Sequence, residues 1–265
     1  MGSNRTCLFC SNRANSLEDA WPLWITNQFK TNEAAEFQAE RRGVALKPWR
    51  VYQPRLTLRC VCQPCNNGWM SKLENQAKPF LQPLLTGNRC LLDIAGQSTV
   101  ALWSVKTAMV LEGQDALEQR LYMQPEREQL RKLSALPWRT WVWLAASADP
   151  TYFMSAKNRH MEAGNDGNIS GVSITMMFAH VVLQVLTIRV PNDVGPSTRI
   201  TMDIRKGRWP EATVQIWPTQ SRAVWPPPMG LTSYVYNIKG DMTQMTYPSG
   251  RVVNFNYATG GSYGR

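Results

Sequence analysis

Histidine is nearly absent from this chain: two in 265 residues, His160 and His180, both in the C-terminal half. The side chain that most often serves as a base at neutral pH is therefore missing from the first 159 residues. No apolar run approaches the roughly 18 residues that cross a bilayer, which excludes a membrane span from the expectation. The opening "MGSNRTCLFCSNR" lacks the apolar centre of a secretory leader, so a soluble, cytoplasmic chain is expected. There is no internal repeat at solenoid spacing. Around His160 no cluster of carboxylates and no nucleophile motif occurs, which argues against an active site confined to that half.

What is present is a core-forming composition, 43% hydrophobic with 11 tryptophans, and a basic balance of 29 Lys and Arg against 19 Asp and Glu. The excess is uneven: residues 1 to 90 carry 12 basic and 6 acidic side chains, and the other 175 carry 17 and 13. A polyanion, foremost nucleic acid, is the natural partner of such a field, because pairing with phosphates releases counterions. A high isoelectric point that only aids solubility is the plainer alternative. Basic side chains nearest the cysteines are Arg41, Arg42, Lys47, Arg50, Arg55 and Arg59, with Trp49 and Tyr52 interleaved. The cations suit phosphates and the aromatics suit exposed bases.

Along the chain, "NSLEDAWPLWITNQF" reads as a short element docked on a core. "TNEAAEFQAERRG" carries an N-cap, early acids, late arginines and a Gly stop, and predicts a surface helix whose C-terminal dipole alone explains Arg41 and Arg42. "WRVYQPRLTLRCVC" predicts a strand or hairpin arm with Leu56, Leu58, Cys60 and Cys62 on one face. Trp69, Leu73, Ala77 and Phe80 mark a helix that Pro79 and Pro83 should end. "TVALWSVKTAMVLEGQDALE" predicts a buried helix and "QPEREQLRKL" a second one. From Trp138 the pattern is β, through "WRTWVWLAAS", "GVSITMMFAHVVLQVLTIRV", "TRITMDIRK" and "ATVQIW", with "EAGNDGNISG" as an exposed loop. His180 falls in an apolar stretch and reads as a core or sheet-face residue; His160 reads as a surface-loop residue. "WPTQSRAVWPPPMG" suits an extended segment packed by Trp217 and Trp225, and "YPSGRVV" a hairpin turn.

Two CxxC pairs, Cys7 with Cys10 and Cys62 with Cys65, supply four soft ligands, the set that a structural zinc ion takes in a tetrahedron. Cys60 shares a strand face with Cys62 but lacks the two-residue spacing to Cys65, and Cys90 reads as a buried thiol. A knuckle, then strands, then a second knuckle whose last cysteine opens a helix is the layout of a treble clef. The chain so divides into a zinc treble clef (ββα) over 1–88, a helical linker region over 89–136, a β-rich domain of unassigned role over 137–258 and a disordered tail over 259–265. The expected class is α+β.

"CLFC", "NSLEDAWP" and "CNNGW" together resemble the zinc-bearing branch of the HNH endonucleases, over roughly residues 5 to 85. The resemblance implies a ββα unit that holds one divalent metal on the scissile phosphate while a histidine activates water. It places Glu18 at the acidic metal-ligand position and Asn66 at the last metal-binding position. Asp19 stands where that family has its histidine base, and the middle asparagine has no counterpart in "VYQPRLTLRCV". An ordinary aspartate, with a pKa of about 3.9, is a weak base at neutral pH. Glu18, Asp19 and Asn66, with Asn67, instead make an all-oxygen set suited to Mg or Mn. Equally, Glu18 and Asp19 cap a turn and Asn66 and Asn67 cap a helix.

The leading expectation is an HNH-like, metal-dependent nuclease with Asp19, Glu18 and Asn66 catalytic, acting on DNA in preference to RNA. Its alternative is a catalytically inactive, zinc-dependent nucleic-acid-binding or assembly module whose β-rich part meets a protein partner.

Overall fold

The computed structural model describes residues 5–28, 56–113, 120–147, 169–190 and 213–227 with their side chains, and Arg50 with its side chain. It describes the backbone at 35–37, 40–41, 44–45, 49–51, 154–163, 233–236, 242–246 and 252–254. The "TRITMDIRK" strand and the 259–265 tail expected above lie outside the described residues, as do Arg42, Lys47 and Arg55.

Residues 5–14 close into a tight turn, because Cys7 N–H donates to Asn12 O at 2.7 Å and Ala14 N–H to Arg5 O at 2.8 Å. Strand β1 (Ser16–Asp19) follows, then the short helix α1 (Leu23–Gln28), which buries Ile25. The surface helix expected near residue 35 is not formed. Four short strands stand there instead, β2 (Ala35–Phe37), β3 (Glu40–Arg41), β4 (Val44–Ala45) and β5 (Trp49–Val51), paired β2 with β5 and β3 with β4. Helix punctuation is worth a few tenths to about 1 kcal/mol per position, less than the cross-strand pairs Phe37–Trp49 and Arg41–Val44 gain together with their ladders. Arg41 therefore lies on a strand and not at a helix C-terminus.

Strand β6 (Thr57–Val61) pairs antiparallel with β1, with a register irregularity between Ser16 and Glu18. The chain then enters α2 (Gln63–Cys65), a π turn over Asn66–Met70 kinked at Gly68, and α3 (Ser71–Leu85). Pro79 and Pro83 do not end α3 as expected but sit inside it. Each costs about 3 kcal/mol of helix stability, which burial of Leu73, Ala77, Leu81, Leu84 and Leu85 on the opposite stripe offsets. Gly87, at φ +76, stops the helix, and the His180 ring lies against it, 3.2 Å from where a Cβ would stand.

Strand β7 (Cys90–Leu92) leads into α4 (Ile94–Glu112), capped by Asp93, whose Oδ1 accepts from Gly96 N–H at 2.7 Å. This is the buried helix that the apolar run predicts, and α5 (Gln124–Leu133) is the second. The β-rich part is a five-stranded antiparallel sheet, built from β8 (Thr140–Ala146), β9 (Met154–Ala163), β10 (Ile169–Phe178), β11 (Val181–Arg189) and β12 (Thr213–Trp217), in the order β12-β8-β11-β10-β9. Period-two alternation places Val142 and Leu144 of β8, Val172, Ile174, Met176 and Phe178 of β10, and Leu183 and Val185 of β11 on the face toward α4. His180 occupies the tight connection between β10 and β11, neither core nor sheet face; His160 is in β9, opposite Val172, rather than in a loop.

Strand β13 (Ala223–Trp225) pairs with β7, and β14 (Ser233–Tyr236), β15 (Met242–Thr246) and β16 (Val252–Asn254) form a three-stranded sheet that includes the hairpin expected around "YPSGRVV". One buried cluster runs unbroken from the N-terminal cysteines through Trp21 and α3, along α4, to the sheet and Trp225. The fold is thus mixed helix and sheet, with sheets in the C-terminal part and a cysteine cluster near the N-terminus.

Candidate metal centre

The backbone turn at 7–10 and the start of α2 place the two CxxC pairs face to face. Leu8 N–H donates to Cys60 O at 2.9 Å, which fastens the first turn to the end of β6, one residue short of Val61 and Cys62. Asn15 Oδ1 accepts from Gln63 N–H at 2.9 Å, so a residue of the N-terminal segment caps the helix that carries Cys65. Neither Asn15 nor Asn12, whose Nδ2 donates to Cys62 Sγ at 3.9 Å, stands out in the sequence, because both work only across the fold.

The Sγ atoms of Cys7, Cys10, Cys62 and Cys65 all lie within 4.8 Å of one another, and all four residues are buried. Cys10 Sγ is 3.5 Å from Cys62 Sγ and 3.7 Å from Cys65 Sγ. A tetrahedron with metal–sulfur bonds of about 2.3 Å has edges of about 3.8 Å, so the spacing fits a four-coordinate ion. Burial pushes the Cys7 and Cys65 thiols up. Burial would raise Cys62 too, but hydrogen bonds from the Cys65 backbone and the neighbouring thiols outweigh it and bring it down to about 7. Four thiolates in one buried pocket repel one another, so the set ionises fully only around a cation, which binds with release of protons. Phe9 N–H points at Cys7 Sγ at 3.5 Å, and the Phe9 ring meets Trp69 edge-on at 5.0 Å, walling the site from water. The four cysteines can hold a structural metal ion such as zinc.

The other two cysteines are outside the cluster. Cys60 is buried, and burial together with the negative charge of Glu18 and Cys7 pushes its thiol up to about 12, a protonated core thiol. Cys90 is half-buried on β7, not fully buried as expected.

Glu18, Asp19 and Asn66 come from adjoining elements, β1 and the π turn. Asn66 does not cap its helix: Nδ2 donates to Ser16 Oγ and to Leu17 O, both at 2.9 Å, and ties the helix start to β1. Glu18 is buried, and Lys106 Nζ of α4, only 1% exposed at its side chain, lies 3.3 Å from its Oε1. Burial raises the Glu18 carboxyl above its ordinary value, against which Lys106 pulls it down. Glu74 of α3 is raised by burial in the same region, again opposed by Lys106. The acidic position of the motif therefore already has a cation of its own, a lysine that the sequence pattern did not single out because it hides inside an apolar helix.

On the outside of this unit the charges sort by sign. Across residues 5–28 and 56–90, Arg5, Arg13, Arg59, Lys72, Lys78 and Arg89 are all exposed, whereas Glu18 is buried and Asp19 and Glu74 are partly buried. Arg50 and Arg59 of the expected phosphate-binding set are exposed; the side chains of the other four lie outside the described residues.

No family model, no curated protein and no solved structure matches the chain.

Proposed function

We propose that the chain is a zinc-dependent nucleic-acid-binding protein, in which a treble-clef unit held by Cys7, Cys10, Cys62 and Cys65 presents a basic surface and does not cut the strand it holds. The observation that carries this reading is the sorting of charge on that unit: six exposed cations and no exposed carboxylate over 5–28 and 56–90. Such a surface suits a phosphate backbone, and DNA is favoured over RNA as its partner. Zinc is the ion of choice because four buried thiolates select a soft, tetrahedral cation that needs no redox change.

Binding is preferred to cleavage for a chemical reason. A hydrolytic site built on Glu18, Asp19 and Asn66 needs Glu18 for Mg or Mn, yet the Glu18 carboxylate faces the Lys106 ammonium at 3.3 Å. Displacing a buried lysine to admit a metal leaves an unpaired charge, at a cost of several kcal/mol. Asn66 spends its amide nitrogen on Ser16 and Leu17.

Anisotropy titrations of a labelled DNA duplex at several salt concentrations, beside plasmid nicking with Mg and with Mn, test this. Salt-sensitive binding without nicking is the expected result. Binding that ignores salt, or none, defeats the proposal. Nicking that disappears in Asp19→Ala restores the nuclease reading, with Glu18, Asp19 and Asn66 around Mg or Mn.

A further inference from the structure

We infer that strands β2 to β5 form a basic arm that enters the major groove of duplex DNA; this rests on the nucleic-acid reading above and adds to it the element and the form of the partner. The two pairings run along one line: Ala35 opposite Val51 and Phe37 opposite Trp49 in the inner pair, Glu40 opposite Ala45 and Arg41 opposite Val44 in the outer. The chain thus goes out and returns antiparallel, with the register leaving two residues, Arg42 and Gly43, between the outermost partners. That is the shortest common hairpin connection, and glycine is favoured in it.

Among the described residues these strands pair only with each other. A two-stranded ribbon is marginal in water by itself, so a partner surface adds stability that no third strand supplies. The outer part of the ribbon states what that partner is. Between residues 40 and 50 the chain has Arg41, Arg42, Lys47 and Arg50 against one acid, Glu40. Arg50 is exposed and stands opposite Glu36 in the ladder, and exposed Arg59 on β6 continues the basic run toward the cysteine cluster. The field is positive from the tip of the ribbon to its base.

Shape narrows the partner further. From Ala35 to Arg41 a strand rising about 3.3 Å per residue spans roughly 20 Å, and two strands side by side stand about 5 Å apart. The major groove of B-form DNA, about 12 Å wide, admits such a ribbon, while the minor groove, about 6 Å wide, does not. The deep, narrow major groove of an RNA duplex excludes it as well.

The test uses the full chain with R41Q, R42Q and K47Q combined, and Lys132→Gln on the exposed face of α5 as a control. Zinc content and circular dichroism serve to check the fold. Losing three phosphate contacts should lower the slope of log affinity against log salt by about 2.7 and weaken duplex binding at 0.1 M salt by roughly two to three orders of magnitude. The control should change neither, and duplex DNA should outcompete single strands and duplex RNA. If the triple variant keeps the parent's affinity and slope, the arm lies elsewhere although the nucleic-acid reading stands. A parent that prefers single strands or RNA overturns the assignment of the partner, and a parent that binds no nucleic acid overturns both readings.

Discussion

Replacing Lys106 with methionine keeps most of the side-chain volume and removes the charge that neutralises Glu18. The pair is 3.3 Å apart, with side-chain exposures of 1% and 7%, so little water can take the place of the missing ammonium. At an effective dielectric constant of about 20 the direct attraction is about 5 kcal/mol, and breaking one side of such a buried pair costs about 3–5 kcal/mol. In a chain of this size that lowers the melting temperature by roughly 6–20 °C. The pH dependence has a definite sign. Burial raises the Glu18 carboxyl above its unfolded value, so the ionised form destabilises the fold increasingly as pH rises through the folded value, and the penalty is absent below the unfolded value. Without Lys106 the carboxyl rises further, and the deficit of Lys106→Met relative to the parent should be large at pH 7.5 and shrink toward pH 5. Denaturant unfolding at both values measures it, with the parent at the same pH cancelling any loss of metal. Adding Glu18→Gln should recover most of the loss, since both charges are then gone. A single variant within about 1 kcal/mol of the parent, or a double variant as unstable as the single, refutes the ion-pair account.

Three further outcomes follow from the same coordinates. Cys60→Ser should retain a full complement of metal by elemental analysis, whereas Cys65→Ser should lose it and unfold the N-terminal unit, because Cys60 lies outside the four-sulfur cluster. Gln97→Ala removes an amide that donates to Leu92 O and Gln220 O and accepts from Gln220 N–H. Unfolding free energy should fall by about 1–3 kcal/mol as those backbone groups lose their partner. Gly96→Ala places a Cβ 2.8 Å from the Phe80 ring and should cost about 1–3 kcal/mol in the same assay, a loss that Phe80→Leu in the same chain should relieve.

How far the sequence led depends on the range of the forces involved. The ligand set was legible because CxxC spacing is local chemistry, and the five-stranded sheet was largely legible because alternation such as Val172, Ile174, Met176 and Phe178 is a local pattern with one buried face. The strands at 35–51 were misread as a helix because their acids, arginines and glycine satisfy helix rules residue by residue, while ladder partners such as Ala35 and Val51 are 16 positions apart. The prolines of α3 misled for the same reason: a local penalty is visible in the sequence, and the packing that offsets it is not. Lys106 and Glu112 sit in an apolar helix, each with a buried partner 88 and 15 positions away, Glu18 and Arg127. Pairing at that separation leaves no trace in composition or period, so the role of Glu18 looked catalytic in the motif and is occupied in the fold.

X-ray absorption at the zinc edge of the purified, full-length chain is the most direct test of the tetrathiolate claim. The account predicts one zinc per chain with four sulfur neighbours at about 2.3 Å. A first shell containing nitrogen or oxygen, or a chain that folds with no bound metal at all, contradicts it.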